Sequence, residues 1–391
     1  MKVAIVTYST KPRGGVVHAL ELADALLADG VAVHLVALGD PSVGFFRDTT
    51  VPHTFVPAPP WADTLDERVF RSVDALADGL RSLVGQFSIL HAQDCIAARA
   101  AARVRDERES GDRDRPVVVR TVHHVDDFTT QALIDCQRQA IIEPDELIVV
   151  SREWQGIMDE EFGREAAVVY NGVNTAKLAP PPDFDRLRQR ATIGAGARFL
   201  FLTVGGIEPR KGTKEMIQAL AELKQTMSVP PMLAIVGGHS FQDHTSYRQA
   251  ALSLAERVGV SLEHDVVQLG TVSDQELAAW YHAADGFLFP SVKEGWGLVA
   301  MEALAVGLPL IATDIPVFRE YLVDGETALL VPPGDVGRLS VAMRTLMDDR
   351  KTRDRLADRG RSMVQRFNWD EAASRHREIY ERVAAKAERA R

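Results

Sequence analysis

The first 38 residues alternate between a short apolar segment, a helical pattern and a second apolar segment. Residues 3–8 and 31–38 consist largely of apolar and β-branched residues, and Gly30 separates the second segment from the pattern before it. Between them, apolar residues recur at the three-to-four-residue spacing that predicts a helix. A strand, a helix and a strand within this length form a parallel pair with a right-handed connection. This opening predicts an α/β fold built on a parallel sheet.

The same alternation continues along the chain, with one change of character near residue 180. Three consecutive prolines at 180–182, followed by charged residues, are typical of a linker. A second series of strands and helices follows, and 391 residues accommodate two domains of ordinary size. We therefore predict two doubly wound, Rossmann-like domains that face each other across a cleft, over residues 1–175 and 176–369, with a final helix at 370–391.

Charge, cysteine content and hydropathy argue against several classes of function. The formal net charge of −10 disfavours a nucleic-acid groove, which needs a basic surface. The two cysteines, Cys95 and Cys136, lack the spacing of a disulfide framework or a cysteine-based zinc site. No apolar run approaches the about 18 residues of a membrane-spanning helix, and the N-terminus lacks the pattern of a signal peptide. We predict a cytoplasmic protein without a strong membrane signal; its oligomeric state stays open.

Ligands of open parallel sheets bind beyond the carboxyl ends of the strands, which selects the loops to inspect. Gly14 and Gly15 open the first helix, where free N–H groups favour an anion, and a tight turn is the alternative. His91, His123 and His124 each follow a predicted strand. A histidine at such a position handles protons or contacts sugar hydroxyls, and a structural role is the alternative.

Two adjacent cations follow the first strand of the second domain. Arg210 and Lys211 lie in a glycine-rich loop that begins at Gly205, at a junction between a strand and a helix. This composition suits a phosphate or a diphosphate, and a solvated turn is the alternative. The loop lacks the Walker spacing of P-loop nucleotide-binding proteins.

The strongest signal is a later strand-to-helix junction that carries two glutamates. Glu294 lies in the loop, and Gly295 and Gly297 expose the backbone where the helix begins, so its first N–H groups are available to an anion. Glu302 lies more than one turn into the helix, within reach of hydroxyls beside that anion. A charge-assisted hydrogen bond of this kind contributes about 1.5 to 3 kcal/mol, enough to select a ribose. Two surface glutamates are the alternative.

The segment from Glu294 to Glu302, with seven residues between the two glutamates, resembles the nucleotide-sugar signature of the retaining GT-B glycosyltransferases of family 4. The resemblance covers nearly the whole chain. The other matching segments, in chain order, are the glycine loop Gly14-Gly15, the T-x-H strand end Thr121-Val122-His123, the NGVD-like segment Asn171-Gly172-Val173-Asn174, the basic loop Lys211-Gly212, and Gly270 near the nucleotide base. One departure is Gly206, where the family often has arginine; Arg210 is expected to supply that charge.

The resemblance implies a role for each matching residue. Glu302 would bind the donor ribose, Lys211 would neutralise the diphosphate, Glu294 would contact the transferred sugar, and His123 would lie beside the anomeric centre. Implied donor contacts also include Gly14, Gly15, Gly205, Arg210, Gly270, Gly295 and the backbone of Gly297, Leu298 and Val299. His91 and His124 are expected to bind the acceptor. The resemblance also implies that the final helix packs back on the first domain.

The resemblance implies a hexosyltransferase that retains the anomeric configuration, and the cationic loop predicts that it needs no metal or other cofactor. Its donor substrate is expected to be a UDP-, GDP- or ADP-linked sugar. The acceptor stays open between a small molecule, a lipid-linked molecule and a glycan. Asp112-Arg113-Asp114 resembles a DxD metal motif but lies in a mixed-charge run, which we interpret as a solvated loop. Alternatives are an epimerase or phosphorylase of the same fold and a nucleotide-sugar-binding protein without turnover. An NAD-dependent oxidoreductase is disfavoured, since no GxGxxG follows the first strand.

Overall fold

The computed structural model describes residues 1–109, 112, 114–238 and 242–390. It divides into two compact units, one formed by Met1–Gly172 with Phe367–Arg391 and the other by Val173–Arg366. The first unit holds a parallel sheet of seven strands and the second a parallel sheet of six. The predicted α/β class with two parallel sheets is confirmed.

The sheet of the first unit is formed by short apolar strands that alternate with helices. The strands are β1 (Lys2–Thr7), β2 (Ala32–Leu38), β3 (His53–Val56), β4 (Ile89–Ala92), β5 (Val117–Val122), β6 (Glu146–Val149) and β7 (Ala167–Val168). The helices are α1 (Gly14–Ala28), α2 (Leu65–Arg81), α3 (Cys95–Asp106), α4 (Gln131–Ile142) and α5 (Arg152–Phe162). The strand order is β3-β2-β1-β4-β5-β6-β7. All six residues of β5 are buried, because helices cover both faces of a central parallel strand.

The second unit repeats this plan. Its strands are β8 (Leu200–Val204), β9 (Met232–Val236), β10 (Val266–Gly270), β11 (Gly286–Phe289), β12 (Leu310–Thr313) and β13 (Leu329–Val331), in the order β10-β9-β8-β11-β12-β13. Its helices are α6 (Arg186–Ala191), α7 (Thr213–Thr226), α8 (Thr245–Arg257), α9 (Asp274–Ala283), α10 (Leu298–Ala305), α11 (Pro316–Arg319), α12 (Val336–Asp348) and α13 (Arg350–Val364). Among the described residues, no helix combines the length and the hydropathy that crossing a bilayer requires.

The last helix, α14 (Trp369–Ala390), belongs to the first unit although it follows the second in the chain. It packs against α1 through a buried face that includes Tyr380. Gly172 allows the chain to approach the start of α14, because a Cβ at this glycine would lie 2.3 Å from the backbone nitrogen of Trp369. At the other end, Arg382 Nη2 pairs with Glu146 Oε1 at 3.1 Å.

Candidate functional site

Two loops of the second unit leave neighbouring strands at the same edge of the sheet. Strands β8 and β11 are parallel partners, so their carboxyl ends lie side by side. From β8 the chain runs through Gly205 to a 3₁₀ turn at Pro209–Lys211, and from β11 it runs through residues 290–297 to α10. The Val292 N–H donates to the Arg210 carbonyl at 2.9 Å, which ties the two loops together.

The side chains of Arg210, Lys211 and Glu294 form one ionic group, which we call the cation–glutamate cluster. Glu294 Oε1 accepts hydrogen bonds from Lys211 Nζ at 2.6 Å and from Arg210 Nη1 at 2.8 Å. Arg210 Nε also lies 3.2 Å from Glu208 Oε2. The Lys211 ammonium lies 4.9 Å from the centroid of the Phe289 ring, which supports the cation from the strand side. The structure therefore brings together three residues that the sequence placed in separate loops.

Burial makes this cluster electrostatically strong. The side chains of Lys211 and Glu294 are only 13% and 10% exposed, so solvent screens their attraction weakly. Burial alone would raise the pKa of Glu294, but Lys211 and Arg210 outweigh it and lower that pKa to about 2. Burial also lowers the pKa of the Lys211 ammonium, against the attraction of Glu294. Glu294 is therefore ionised at neutral pH.

Glycine is required where the basic loop passes close to the other loop. Gly212 has φ +68°, and a Cβ there would lie 2.4 Å from the carbonyl oxygen of Pro290. Gly206, the position at which the resemblance led us to expect arginine, is also confined, because a Cβ there would lie 2.7 Å from the Gly238 carbonyl oxygen. A side chain at 206 is thus incompatible with this backbone, whereas Arg210 reaches Glu294 from the next turn.

Helix α10 begins beside the cluster and carries the second glutamate. Gly297 precedes the helix with φ +93°, and the Met301 N–H donates to the Gly297 carbonyl at 3.2 Å as the first helical bond. The N–H groups of Leu298 and Val299 precede that bond, where helical N–H groups have no partner within the helix. Glu302 Oε2 accepts a hydrogen bond at 2.8 Å from the hydroxyl of Tyr281, which is fully buried on α9.

Two further glycines complete the predicted donor contacts. Gly295 is buried in the loop between Glu294 and α10. Gly270 ends β10 with φ +69°, and the space around a Cβ at this position is open to 4 Å. Since β10 follows β9 and β8 in the same parallel sheet, Gly270 lies at the same carboxyl edge as Gly205.

The first unit holds the predicted glycine loop and the predicted catalytic histidine. Helix α1 begins at Gly14, and a Cβ at Gly15 would lie 3.6 Å from His123 Cδ2, so these two segments are neighbours. The His123 Nε2–H donates to Gln93 Oε1 at 3.1 Å. Burial, with smaller contributions from His124 and Arg120, lowers the pKa of His123 to about 3. His123 is therefore a neutral imidazole at physiological pH.

His91 does not lie where an acceptor would contact it, which corrects the prediction made from its position after β4. Its ring is fully buried, with Nε2 2.7 Å from the Thr121 hydroxyl and Nδ1 2.7 Å from the Tyr380 hydroxyl. Both nitrogens are thus engaged in joining β4 to β5 and α14. A strand-end histidine can point along the sheet face under a helix, and here that helix is α14.

His124 has a different environment from its neighbour. Its ring is 40% exposed, and its Nε2 lies 3.4 Å from Asp126 Oδ1. Among the described residues, no group of three histidine, cysteine or carboxylate side chains is arranged to hold a metal ion. In the DxD-like segment, Arg113 lies outside the described residues, and Asp112 Oδ1 accepts the backbone N–H of Asp114 at 2.9 Å.

Four histidines of the first unit form a group that sequence analysis did not anticipate, three of them buried and one, His123, partly buried. This histidine cluster consists of His18, His91, His123 and His376. The ring centroids lie 4.6 Å apart for His18 and His123, 5.5 Å for His91 and His376, and 6.1 Å for His18 and His376. Asn171 joins the cluster through a 2.9 Å hydrogen bond between its Oδ1 and His18 Nδ1.

Two partners of predicted site residues were also not anticipated. Gln93, which fixes His123, follows β4 directly, so the rule of strand carboxyl ends applied to that residue would have found it. Tyr281, which fixes Glu302, lies near the end of α9 and has no local signal that distinguishes it from an ordinary buried aromatic residue.

Comparison with known proteins identifies the family. The profile of the family Glycosyl transferases group 1 matches residues 185–363, and that of Glycosyltransferase Family 4 matches residues 12–177. A phosphatidyl-myo-inositol mannosyltransferase of Mycobacterium leprae is 29% identical, over 97% of this chain and 96% of that protein. Together, the two family profiles cover most residues of both units.

Solved structures share the fold. Sucrose-phosphate synthase from Thermosynechococcus elongatus superposes with a TM-score of 0.80 at 20% identity, over 99% of this chain and 100% of that one. The Anabaena protein HepE, crystallised with UDP and glucose, gives 0.80 at 20% identity, over 97% and 99% of the respective chains. Together with the family profiles, these similarities show that the chain belongs to the group 1 glycosyltransferases of the GT-B fold.

Proposed function

We propose that this glycosyltransferase moves a sugar from a nucleoside diphosphate sugar to a hydroxyl acceptor, with retention of configuration and without a metal ion. The observation that carries the donor class is the cation–glutamate cluster just before α10, in which Lys211 and Glu294 are nearly buried. The weakly exposed positive charge of Lys211, close to N–H groups that a helix start leaves without a partner inside the helix, suits a diphosphate. The UDP and glucose in the crystals of HepE support the same donor class.

Each group at this edge has a proposed part in donor binding. The N–H groups of Leu298 and Val299 would bind phosphate oxygens, and Lys211 and Arg210 would neutralise them. Glu302, held by Tyr281, would accept hydrogen bonds from the ribose hydroxyls. Glu294 would contact hydroxyls of the transferred sugar.

Stabilisation of the leaving diphosphate is the proposed source of catalysis. Breaking the bond to the anomeric carbon increases negative charge on the diphosphate, so contacts that strengthen with this charge accelerate the reaction. A partly buried helix start supplies up to about 2 kcal/mol, whereas enzymatic acceleration requires at least about 8 kcal/mol. The nearly buried Lys211, the partly exposed Arg210, exclusion of water and positioning of the acceptor would contribute the difference. Because protein cations take this role, the mechanism needs no metal.

His123 is proposed to act in turnover and not in donor affinity. Its neutral ring, held by Gln93, donates a hydrogen bond through Nε2 and has an accepting Nδ1. A neutral imidazole can orient a sugar hydroxyl, but its low pKa makes it a poor proton acceptor. We therefore assign it orientation of the transferred sugar, with the leaving phosphate as the acceptor of the proton.

The acceptor class is proposed from the relatives. The mycobacterial relative is named for transfer to phosphatidyl-myo-inositol, which combines a polyol with a phosphate. We propose a polyol hydroxyl as the acceptor, with inositol, inositol phosphate and phosphatidylinositol as the first compounds to test. His124, which is partly exposed, stays a candidate contact.

A panel of nucleotides tests the donor class. Thermal shift with UDP, GDP, ADP and their sugar conjugates should show one base that stabilises the protein, whereas preferential stabilisation by NAD(P) would contradict the proposal. Lys211→Ala should weaken binding of that nucleoside diphosphate about tenfold or more, since a charged contact is lost. Lys351→Ala, which removes an exposed lysine of α13, is the matched control and should leave binding unchanged.

Product analysis separates the remaining alternatives. Transfer should proceed in the presence of EDTA, and NMR of the product should show the anomeric configuration of the donor. Loss of activity in EDTA that manganese restores would refute metal independence, and an inverted product would refute retention. Interconversion of the nucleotide sugar without an acceptor would instead indicate an epimerase.

A further inference from the structure

The cations proposed to hold the diphosphate already have an anionic partner within the protein. Glu294 Oε1 accepts hydrogen bonds from both Lys211 and Arg210, at 2.6 and 2.8 Å. Both Lys211 and Glu294 are nearly buried, and the carboxylate is ionised. An arriving diphosphate therefore meets cations that are compensated by a neighbouring negative charge.

We infer that Glu294 is an internal counter-ion that the donor diphosphate replaces, and that this exchange makes the site favour the intact donor over the nucleoside diphosphate product. The inference rests on the function proposed above, because it takes Lys211 and Arg210 as the diphosphate contacts. It adds a role for Glu294 in specificity that precedes its contact with the sugar.

The exchange follows from the electrostatics of a buried site. Lysine and arginine have enough N–H donors to bind two anions at once, but the two anions would then lie close together. Like charges repel strongly where solvent does not screen them. Glu294 must therefore turn away from the cations or lose part of their attraction when the diphosphate binds.

The transferred sugar supplies what Glu294 loses. A buried carboxylate without hydrogen-bond donors is unfavourable, and sugar hydroxyls are donors of the required kind. The intact donor brings both the diphosphate and these hydroxyls. The two cations then pair with the diphosphate, and the Glu294 carboxylate accepts hydrogen bonds from the hydroxyls. The nucleoside diphosphate brings only the charge, so it weakens the attraction between the cations and Glu294 and supplies no hydroxyl in return. This difference favours release of the product after transfer.

Isosteric neutralisation of Glu294 tests the exchange. Glu294→Gln should tighten binding of the nucleoside diphosphate about tenfold, because repulsion and competition are both removed. Its effect on the intact donor should be smaller, since the amide also loses the charged contact with the sugar. Titration calorimetry with UDP, GDP or ADP, whichever stabilises the wild type, and with the matching nucleotide sugar gives both affinities. Product inhibition should become stronger to the same extent.

Glu208→Gln is the matched control. Glu208 Oε2 lies 3.2 Å from Arg210 Nε, so this variant also removes a carboxylate from the loop while leaving the Lys211–Glu294 pair intact. It should change affinity for the nucleoside diphosphate and for the nucleotide sugar by the same small factor. Glu294→Ala provides a second variant should the amide disturb folding, and it should also tighten the nucleoside diphosphate.

The outcomes separate this inference from the proposed function. Unchanged or weaker nucleoside diphosphate binding in both Glu294 variants, with Lys211→Ala still impairing it, overturns the exchange alone. Unchanged binding in Lys211→Ala shows that the diphosphate lies elsewhere and overturns both. If Glu294→Gln tightens binding of the nucleoside diphosphate and of the nucleotide sugar equally, Glu294 competes with the diphosphate but does not distinguish product from donor. That result overturns the specificity role.

Discussion

At the scale of single residues, Glu302 and His123 each depend on a partly buried hydrogen bond from a neighbouring element. The Tyr281 hydroxyl on α9 holds Glu302 on α10, and Gln93 after β4 holds His123 after β5. Such supporting contacts fix the orientation of a functional side chain without contacting the ligand themselves. Their removal should therefore affect one function and leave the fold largely intact.

Tyr281→Phe tests the support of Glu302. The variant keeps the buried ring and removes one hydrogen bond to a carboxylate, which contributes about 1.5 kcal/mol, so nucleotide affinity should fall about tenfold. Titration with a 2′,3′-dideoxy nucleotide should show little change, because that ligand lacks the hydroxyls proposed to contact Glu302. Tyr380→Phe, which removes a buried hydroxyl in the other unit, is the control. Equal loss for both nucleotides would indicate a general packing defect.

The pKa of His123 gives a prediction for the pH profile. Because burial lowers this pKa to about 3, the ring stays neutral throughout the range in which histidine usually titrates. The wild type and His123→Asn should therefore show the same pH dependence of the transfer rate between pH 5.5 and 7.5, because His123 does not titrate in this range. In that variant, kcat should fall while the affinity for the nucleotide sugar is retained. An inflection near pH 6.5 specific to the wild type would contradict the neutral role.

At the scale of elements, a close approach between Gly172 and the start of α14 anchors the terminal helix. A Cβ at Gly172 would lie 2.4 Å from the Asn368 carbonyl carbon and 2.3 Å from the Trp369 nitrogen, which no real side chain tolerates. The same segment carries Asn171, whose side chain bonds His18 on α1. The family segment that begins at Asn171 is thus explained here by packing.

Gly172→Ala should destabilise the protein by about 2 kcal/mol or more, because the backbone of α14 must shift to admit the methyl group. The free energy of unfolding in urea measures this loss. Gly156→Ala is the control, since Gly156 lies in α5 with open space around a Cβ. That change should stabilise α5 by up to about 1 kcal/mol. Equal effects at both positions would contradict the anchoring role.

The sequence predicts most elements but not all of them. Continuous apolar segments predict buried strands, and the segments at residues 3–8 and 31–38 correspond to β1 and β2 within one residue at each end. The pattern does not predict β3, because this four-residue edge strand begins with a histidine and is only partly buried. The contact of Tyr281 with Glu302 arises from packing between α9 and α10, which no local pattern encodes.

At the scale of the whole molecule, the histidine cluster makes the first unit sensitive to acid. Burial lowers the pKa of His18 and His91 well below the ordinary value, and lowers that of His376 to about 4. Protons therefore bind more readily to the unfolded chain. The contribution of these histidines to the free energy of unfolding is fully present above pH 6.5. It is lost progressively as the pH falls from 6.5 toward 4.

The expected loss from His376 alone is about 3 kcal/mol, from a pKa of 6.5 unfolded and about 4 folded. Hydrogen exchange between pH 7 and 4.5 should show that amides of α1 and α14 lose protection before those of α7. His376→Leu should reduce the slope of stability against pH, whereas replacement of the exposed His264 should not. A slope that is the same in all three proteins would contradict the prediction.

The return of α14 to the first unit has a consequence for biosynthesis. A ribosome releases residues in order, so Val173–Arg366 are available to fold before Phe367–Arg391 emerge. The first unit therefore remains incomplete, with the apolar surface of α1 uncovered, until the residues of α14 have been translated. Nascent chains in this interval expose an apolar surface to which chaperones can bind. The unit that contains Met1–Gly172 thus completes its fold only after Val173–Arg366 have been synthesised.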